Sequence, residues 1–170
     1  MLFHKITTVT DLHHALIRFP CLSFEEKPIA DFVEAFMRSH GASVFRHLDN
    51  VWCELGAGEN VLLLNSHLDV VPPSKTHPYP PFEPTVVNGK VYGRGAVDAK
   101  ASGAAMLWAF LSLLEEGYVP PKGKVVVALT AGEENSKTYD GLEDLTTNGY
   151  LPQISAALVG EPTNLQPCIA

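Results

Sequence analysis

Two periods of apolar residues alternate along this chain, and they predict which segments are helices and which are strands. Where apolar residues recur at every third or fourth position, a helix can bury one face and leave the other in water. Short continuous apolar runs are typical of strands that are buried on both faces of a sheet. Helices are accordingly predicted over residues 28–39, 99–116 and 142–147, and from a cap at Thr10 or Asp11 to about Phe19.

Strand-forming runs lie in the segments between these helices. Strand and helix alternate from residue 61 onward, which is typical of a sheet with parallel strands. The small side chains of residues 101–105 would allow the longest helix to pack closely against that sheet. The chain is therefore predicted to form an α/β fold with a mixed, mostly parallel sheet flanked by helices. Strands are predicted over residues 43–46, 51–55, 61–65, 124–130 and 156–159, and a tight hairpin at the Asn-Gly pair of residues 86–92.

Length and charge limit the classes of protein to which the chain can belong. Its 170 residues suffice for one domain with a single buried core. The net charge of −7, without a basic block, argues against nucleic acid and against anionic membranes as partners. The longest apolar stretch, near residues 104–114, is too short to span a bilayer.

The cysteines and the first residues bear on the cellular compartment. The 3 cysteines show no CxxC spacing, so a disulfide framework is not expected and a reducing compartment fits. Residues 1–6 lack the apolar segment and small-residue cleavage site of a secretory leader. We therefore expect a cytoplasmic protein.

Side chains of the kind that bind metals follow the predicted strands. His67 comes directly after one apolar run, Glu133 and Glu134 follow a second, and Glu161 follows a third. Asp98 comes after the hairpin, just before the longest helix. Since open α/β sheets bind their ligands at the carboxyl ends of the strands, these residues are expected to lie together. The sequence therefore predicts a metal site.

Alternatives stay open for each of these side chains. Asp69 would face the same side of an extended segment as His67 and accept the second N–H of its ring, or it is a turn residue beside a loop histidine. Asp98 either bridges two cations or caps the helix that follows it. Glu133 and Glu134 repel each other unless a cation neutralises them. One would bind metal and the other transfer protons, although a solvated loop would also tolerate the pair.

Four motifs, taken in order, resemble the dinuclear zinc amidohydrolases of the M20 type. This family includes acetylornithine deacetylase, succinyl-diaminopimelate desuccinylase and related carboxypeptidases. The resemblance covers essentially the whole chain and implies a zinc-exopeptidase-like catalytic domain. The motifs are Asn-Ser-His-Leu-Asp-Val-Val-Pro at 65–72, Tyr-Gly-Arg-Gly-Ala-Val-Asp-Ala-Lys at 92–100, Thr-Ala-Gly-Glu-Glu at 130–134 and Gly-Glu-Pro-Thr at 160–163.

The resemblance implies a role for six side chains around two Zn²⁺ ions, with Co²⁺ as a possible replacement. His67 and Glu161 would bind one zinc, Asp98 would bridge both, Glu134 would bind the second, Glu133 would be the general base, and Asp69 would support His67 from behind.

The expected substrate depends largely on one residue. Glu161 stands where many peptidase relatives carry aspartate, whereas glutamate is usual in the deacetylase and desuccinylase members. The first expectation is zinc-dependent hydrolysis of an N-acyl amino acid, N-acetylornithine above all, as in arginine biosynthesis. The alternatives are succinyl-diaminopimelate desuccinylase, a metallo-exopeptidase or dipeptidase, and a non-catalytic metal-binding fragment. The intact Glu133 argues against the last, because metal binding alone needs no free base.

The resemblance also implies what would complete the enzyme. Family members are longer, and they carry a lid or dimerisation domain and a final histidine ligand near the C-terminus. Residues 1–170 are therefore expected to be the N-terminal part of the catalytic domain, weak or inactive by itself. The parent enzyme would be a homodimer that acts on a small N-acyl amino acid.

Overall fold

The computed structural model describes residues 3–169, and every predicted helix and strand is present. All but the first helix begin and end within two residues of the predicted positions. No helix in this range is long and apolar enough to cross a lipid bilayer. The helices are α1 (Val9–Ile17), α2 (Lys27–Ser39), α3 (Lys100–Glu115) and α4 (Gly141–Thr147). The strands are β1 (Val44–His47), β2 (Asn50–Gly56), β3 (Asn60–His67), β4 (Thr85–Val87), β5 (Lys90–Tyr92), β6 (Gly123–Thr130) and β7 (Ala156–Val159).

A mixed sheet of five strands runs through residues 3–169 in the order β1-β2-β6-β3-β7. β3 is parallel to both β6 and β7, whereas β2 is antiparallel to both β1 and β6. The predicted mixed sheet is therefore confirmed, although only its β6-β3-β7 half is parallel. β1 and β2 are antiparallel because the short turn at Leu48 and Asp49 reverses the chain and leaves no room for a crossover helix.

β4 and β5 form a separate hairpin at the predicted position. Asn88 and Gly89 connect the two strands with φ angles of 50° and 74°. A two-residue turn of this kind requires a positive φ at both positions, which the Asn-Gly pair adopts readily. The hairpin is followed by the segment that contains Asp98.

The start of α1 differs from the prediction. The helix is capped by Thr8, whose side-chain oxygen accepts the Asp11 N–H at 3.1 Å, while the Asp11 carboxylate accepts the Thr8 N–H at 3.0 Å. This reciprocal capping box satisfies two backbone donors at once, and a cap at Thr10 or Asp11 would not do so. The helix also ends earlier than predicted, at Ile17 instead of near Phe19.

Different helices cover the two faces of the sheet. α1, α2 and α3 contribute to the core on one face, and α4 contributes to the core on the other. Alternate residues of β6 point to the two cores: Val127 and Leu129 to the first, Val126 and Ala128 to the second. β6 is therefore buried on both faces, as its continuous apolar run predicts. β3 differs in part, because Leu62 is 42% exposed.

The connections around β3 place a crevice at the carboxyl end of that strand. From β3 the chain passes through α3 to β6 on one side, then returns through α4 to β7 on the other side. α3 lies close to the sheet because small residues face it: a Cβ at Gly103 would be 3.4 Å from Leu129. Open α/β sheets bind ligands where successive connections leave a strand in opposite directions.

Candidate metal centre

Three parallel strands end at the same edge of the sheet and carry predicted ligands there. His67 is the last residue of β3 and lies opposite Thr130, the last residue of β6. The Gly160 N–H donates to the Asn65 carbonyl at 2.8 Å, which extends the pairing of β7 with β3 to the residue before Glu161. The carboxyl ends of β3, β6 and β7 therefore meet, as the sequence predicts.

The imidazole of His67 lies at the centre of the site. Its side chain is 1% exposed, and Nδ1 donates to the Asp69 carbonyl at 3.0 Å. Because a carbonyl only accepts, this contact puts a proton on Nδ1 and leaves Nε2 to face the carboxylates. Nε2 lies 3.0 Å from Asp98 Oδ1, 3.7 Å from Glu161 Oε1 and 3.8 Å from Glu133 Oε2.

The donor atoms form two groups that share His67. One group contains Asp98 and Glu161, the other contains Glu133 and Glu134, and the donor atoms of each group lie within 4.8 Å of one another. Imidazole nitrogen with carboxylate oxygen is a donor set that suits zinc. Within residues 3–169, the carboxylates of Asp98, Glu133 and Glu161 form ion pairs with His67 and with no lysine or arginine. A divalent cation would neutralise this excess negative charge.

Asp98 does not cap α3. The N-cap residue is Ala99, which makes no side-chain hydrogen bond, and the Asp98 carboxylate lies against His67 instead. The Asp98–Ala99 peptide bond is cis. The helix-cap interpretation of Asp98 is therefore wrong, and its half-exposed carboxylate is available to a cation.

The His67 ring donates to the backbone carbonyl of Asp69, whereas the prediction gave this N–H to the Asp69 carboxylate. The carboxylate still lies beside the ring and makes further contacts. Oδ1 lies 3.3 Å from His67 Nδ1, and Ser23 Oγ donates to Oδ2 at 2.8 Å. The backbone N–H groups of Glu133 and Glu134 donate to the same two oxygens at 3.2 and 3.1 Å. Burial by itself would raise the pKa of Asp69, but the hydrogen bonds from His67 and Ser23 hold it below its usual value. Asp69 thus stays ionised and links the two segments that carry donor atoms.

The crowded carboxylates shift one another's pKa values and that of the histidine. Burial would lower the pKa of His67, but the hydrogen bond and charge of Asp69 and the contact with Asp98 raise it to about 9. The pKa values of Glu134 and Glu161 lie above their usual range, first because of burial and then because of the charge of Asp98. Shifts of this kind are frequent at functional sites.

Ser102 connects the start of α3 to the end of β7. Its hydroxyl donates to the Gly160 carbonyl at 2.7 Å, and a Cβ at Gly160 would lie only 2.6 Å from the Ser102 Cβ. Only glycine permits this approach. The contact links the helix that follows Asp98 to the residue before Glu161.

Two buried polar residues behind the site were not predicted. Glu26 is 1% exposed and Asn50 is 0% exposed, and each accepts a backbone N–H from the segment that follows β6. Burial raises the pKa of Glu26. In the sequence Glu26 stands between Glu25 and Lys27, and Asn50 follows Asp49 in a turn. Neither therefore carries a local signal that separates it from a solvated residue.

A sequence profile of the peptidase family M20/M25/M40 matches residues 63–170, the segment that contains all of the candidate ligands. The chain belongs to this family. The resemblance of the four motifs to M20 enzymes is thereby confirmed.

Two curated relatives are desuccinylases by name. The chain is 35% identical over 129 residues to a probable succinyl-diaminopimelate desuccinylase of Staphylococcus aureus, an alignment that covers 75% of this chain and 32% of the relative. It is 33% identical over 166 residues to the succinyl-diaminopimelate desuccinylase of Methylorubrum populi, with 90% of this chain and 43% of the relative covered. This chain therefore spans less than half the length of either relative.

Solved structures of the family share the fold. Human carnosine dipeptidase 1 superimposes with a TM-score of 0.75 at 18% identity, over 95% of this chain and 41% of that one. A dinuclear metal-binding M20 peptidase of Bacillus subtilis superimposes with a TM-score of 0.67 at 19% identity, over 92% and 42%. At these identities the likeness concerns the fold alone, and it confirms the predicted α/β fold with a mixed sheet flanked by helices.

Proposed function

We propose that this chain is the N-terminal part of the catalytic domain of a metal-dependent amidohydrolase. The observation that carries the proposal is the convergence of His67, Asp98 and Glu161 on one sheet edge, in a chain of this family. His67 and Glu161 would hold one zinc, Asp98 would contact both ions, and Glu134 would hold the second. The dinuclear peptidase of B. subtilis supports two ions rather than one. Co²⁺ would accept the same donors.

Glu133 is proposed as the general base. Its side chain is 47% exposed, so water and substrate can reach it, and its Oε2 lies beside the proposed ligands. When bound, zinc supplies Lewis acidity, which acidifies a water molecule and polarises an amide carbonyl. Glu133 would take the proton of the attacking water on its carboxylate and return it to the leaving amine. Asp69 would keep both His67 and the backbone of Glu133 in position.

We favour a succinylated substrate over an acetylated one. Both relatives reported above are desuccinylases by name, which favours succinyl-diaminopimelate over N-acetylornithine, the first expectation from the sequence. Glu161, on which the expectation of deacetylation depended, is usual in both enzyme classes and does not separate them. We therefore propose hydrolysis of the succinyl amide of an N-succinyl amino acid, with succinyl-diaminopimelate as the first candidate.

Elemental analysis of the purified chain tests the metal site. About one or two zinc ions per chain are expected, with a clear loss in a Glu134→Ala variant. Thr10→Ala, on the exposed side of α1, is the matched control and should keep the wild-type content. A folded wild-type chain without zinc above background would refute a metal centre that these residues form by themselves.

A substrate panel tests the proposed reaction. Succinyl-diaminopimelate, N-acetylornithine and β-alanyl-histidine are to be compared at equal zinc loading, in the longest protein that carries this sequence. The highest kcat/KM is expected for succinyl-diaminopimelate. A preference for N-acetylornithine would restore the deacetylase interpretation, and a preference for the dipeptide would identify a peptidase.

A further inference from the structure

The turn that carries Glu133 and Glu134 is held from behind through its backbone. This turn, residues 131–134, follows β6 directly, and each of its four N–H groups donates to a side-chain oxygen. The pairs are Ala131 to Asn50 Oδ1 at 2.8 Å, Gly132 to Glu26 Oε1 at 2.9 Å, Glu133 to Asp69 Oδ1 at 3.2 Å, and Glu134 to Asp69 Oδ2 at 3.1 Å.

The acceptors come from parts of the chain that are far apart in sequence. Asn50 opens β2, and Glu26 lies just before α2, 106 residues away from its partner in the turn. The Asn50 amide is itself held, because its Nδ2 donates to the Tyr139 hydroxyl at 2.8 Å and the hydroxyl donates to Asp144 at 2.9 Å. Buried polar groups cost free energy unless they are paired, and both acceptors are paired.

The backbone of the turn is shaped to fit these acceptors. Gly132 has a φ of 78°, which other residues rarely adopt, and a Cβ there would lie 2.7 Å from the Tyr139 carbonyl. A Cβ at Gly141 would overlap Asn50 Oδ1. Glycine is therefore required at two places by the same arrangement.

The hydrogen bonds to the turn oppose the repulsion between neighbouring carboxylates. Glu133 and Glu134 carry like charges and face Asp98 and Glu161 across the site, so a free turn would move away from the other donors. A turn that is fixed during folding keeps the donors together before any ion arrives, and metal binding then does not have to order it.

We propose that Glu26 and Asn50 are positioning residues of the metal centre. They fix the 131–134 turn so that Glu134 stays in reach of a cation and Glu133 stays beside it. The inference rests on the proposed function, since it assigns a purpose to a turn whose carboxylates are proposed to bind and use metal.

Two variants of Glu26 separate the hydrogen bond from the rest of the side chain. Glu26→Gln keeps an acceptor oxygen for Gly132, and Glu26→Leu removes it. Asn50→Leu removes the acceptor of Ala131, and the milder Tyr139→Phe removes only the hydroxyl that holds Asn50. Val33→Ala, a buried change in α2, is the control for a general loss of stability.

Two measurements are made on each variant. Hydrogen exchange of the metal-free chain measures the exchange rates of the backbone amides of residues 131–134. Titration with zinc chloride measures the metal affinity. In Glu26→Leu the Gly132 amide should exchange on the order of tenfold faster, and zinc should bind about 10- to 100-fold more weakly. Glu26→Gln should stay within about threefold of wild type. Tyr139→Phe should speed exchange at Ala131 and leave the fold intact.

The outcomes distinguish this inference from the proposed function. Wild-type exchange and zinc affinity in Glu26→Leu and Asn50→Leu would overturn the inference. If both variants fail to fold, Tyr139→Phe decides, and unchanged exchange at Ala131 would overturn the role of Asn50. A wild-type chain that binds no zinc would refute the metal centre, while the exchange data would still show whether these residues fix the turn. If Val33→Ala changes amide exchange and zinc affinity by the same amounts, Glu26 and Asn50 stabilise the fold in general and do not position the turn.

Discussion

At the scale of single residues, the site holds more negative charge than its neighbours neutralise. Asp98, Glu133, Glu134 and Glu161 surround one imidazole. Its pKa is raised to about 9, mainly by Asp69 and then by Asp98 and Glu161. Without a cation, the cluster lowers its repulsion by holding protons. Metal ions and protons should therefore compete for the same donor atoms.

Proton release is the first prediction from this competition. Zinc requires a neutral His67, whereas the metal-free ring is protonated below pH about 9. The raised pKa values of Glu134 and Glu161 act in the same direction. The apparent zinc affinity should therefore increase with pH until about pH 9 and then level off. Calorimetry in buffers with different ionisation enthalpies should detect the released protons, and a heat that does not depend on the buffer would contradict the prediction.

The second prediction is that removal of the proposed base lowers turnover and leaves the zinc content unchanged. Glu133→Gln keeps the size of the side chain but cannot accept a proton, so turnover should fall by about 10²- to 10⁴-fold. The zinc content should remain that of the wild type, because Glu134 is the proposed ligand. Steady-state rates and elemental analysis of the same sample test both parts. A loss of zinc together with activity would show that Glu133 is itself a ligand.

At the scale of elements, local sequence predicts the segments well and their ends less well. The apolar stripe of α2 and the Asn-Gly turn between β4 and β5 lie where their patterns predict them. The cap of α1 is Thr8, two or more residues before the predicted Thr10 or Asp11. Two threonines near a helix start have the same capping chemistry, so only the backbone geometry decides between them.

The two threonines provide a matched test. Thr8→Ala should lower the free energy of unfolding by about 1 kcal/mol, because the first turn loses its side-chain acceptor. Thr10→Ala, inside the helix, should change it by less than about 0.5 kcal/mol. Urea unfolding followed by circular dichroism measures both. Equal effects of the two substitutions would mean that Thr8 does not act as the cap in solution.

At the scale of the whole molecule, the sheet has an exposed edge at β7. Within residues 3–169, β7 pairs with β3 on one side and with no strand on the other. Leu158 and Val159 are 57% and 52% exposed. An apolar edge of this kind can pair with another chain, which is the association expected when the exposed strand is not covered.

Self-association through β7 is the corresponding prediction. The isolated chain should form oligomers as its concentration rises, and Leu158→Glu should move this transition to about tenfold higher concentration by placing a charge on the edge. Val119→Glu is the control, because Val119 is 69% exposed but lies in the loop after α3. Sedimentation velocity over a concentration series makes the comparison. The same shift in both variants would assign the effect to net charge instead of to the edge.

The residues of the candidate site could be predicted from sequence because their type and their immediate neighbours mark them. Each candidate stands at the end of an apolar run or next to a helix start, and each is of a type that binds metals. The candidates are His67, Asp98, Glu133, Glu134 and Glu161. Their meeting follows from a general property of parallel strands. The orientation of each carboxylate depends on the tertiary structure.

The elements, the class of fold, the family and the candidate ligands can all be read from the sequence, because each depends on neighbouring residues or on a short motif. The strand order, the antiparallel first half of the sheet and the burial of Glu26 and Asn50 become known only from the folded chain. These features depend on contacts between distant segments. The hydrogen bond between Gly132 and Glu26, for example, joins residues that are 106 positions apart. A glutamate in a solvated charged run and a glutamate buried behind the candidate metal centre have the same local sequence pattern, and only folding distinguishes them.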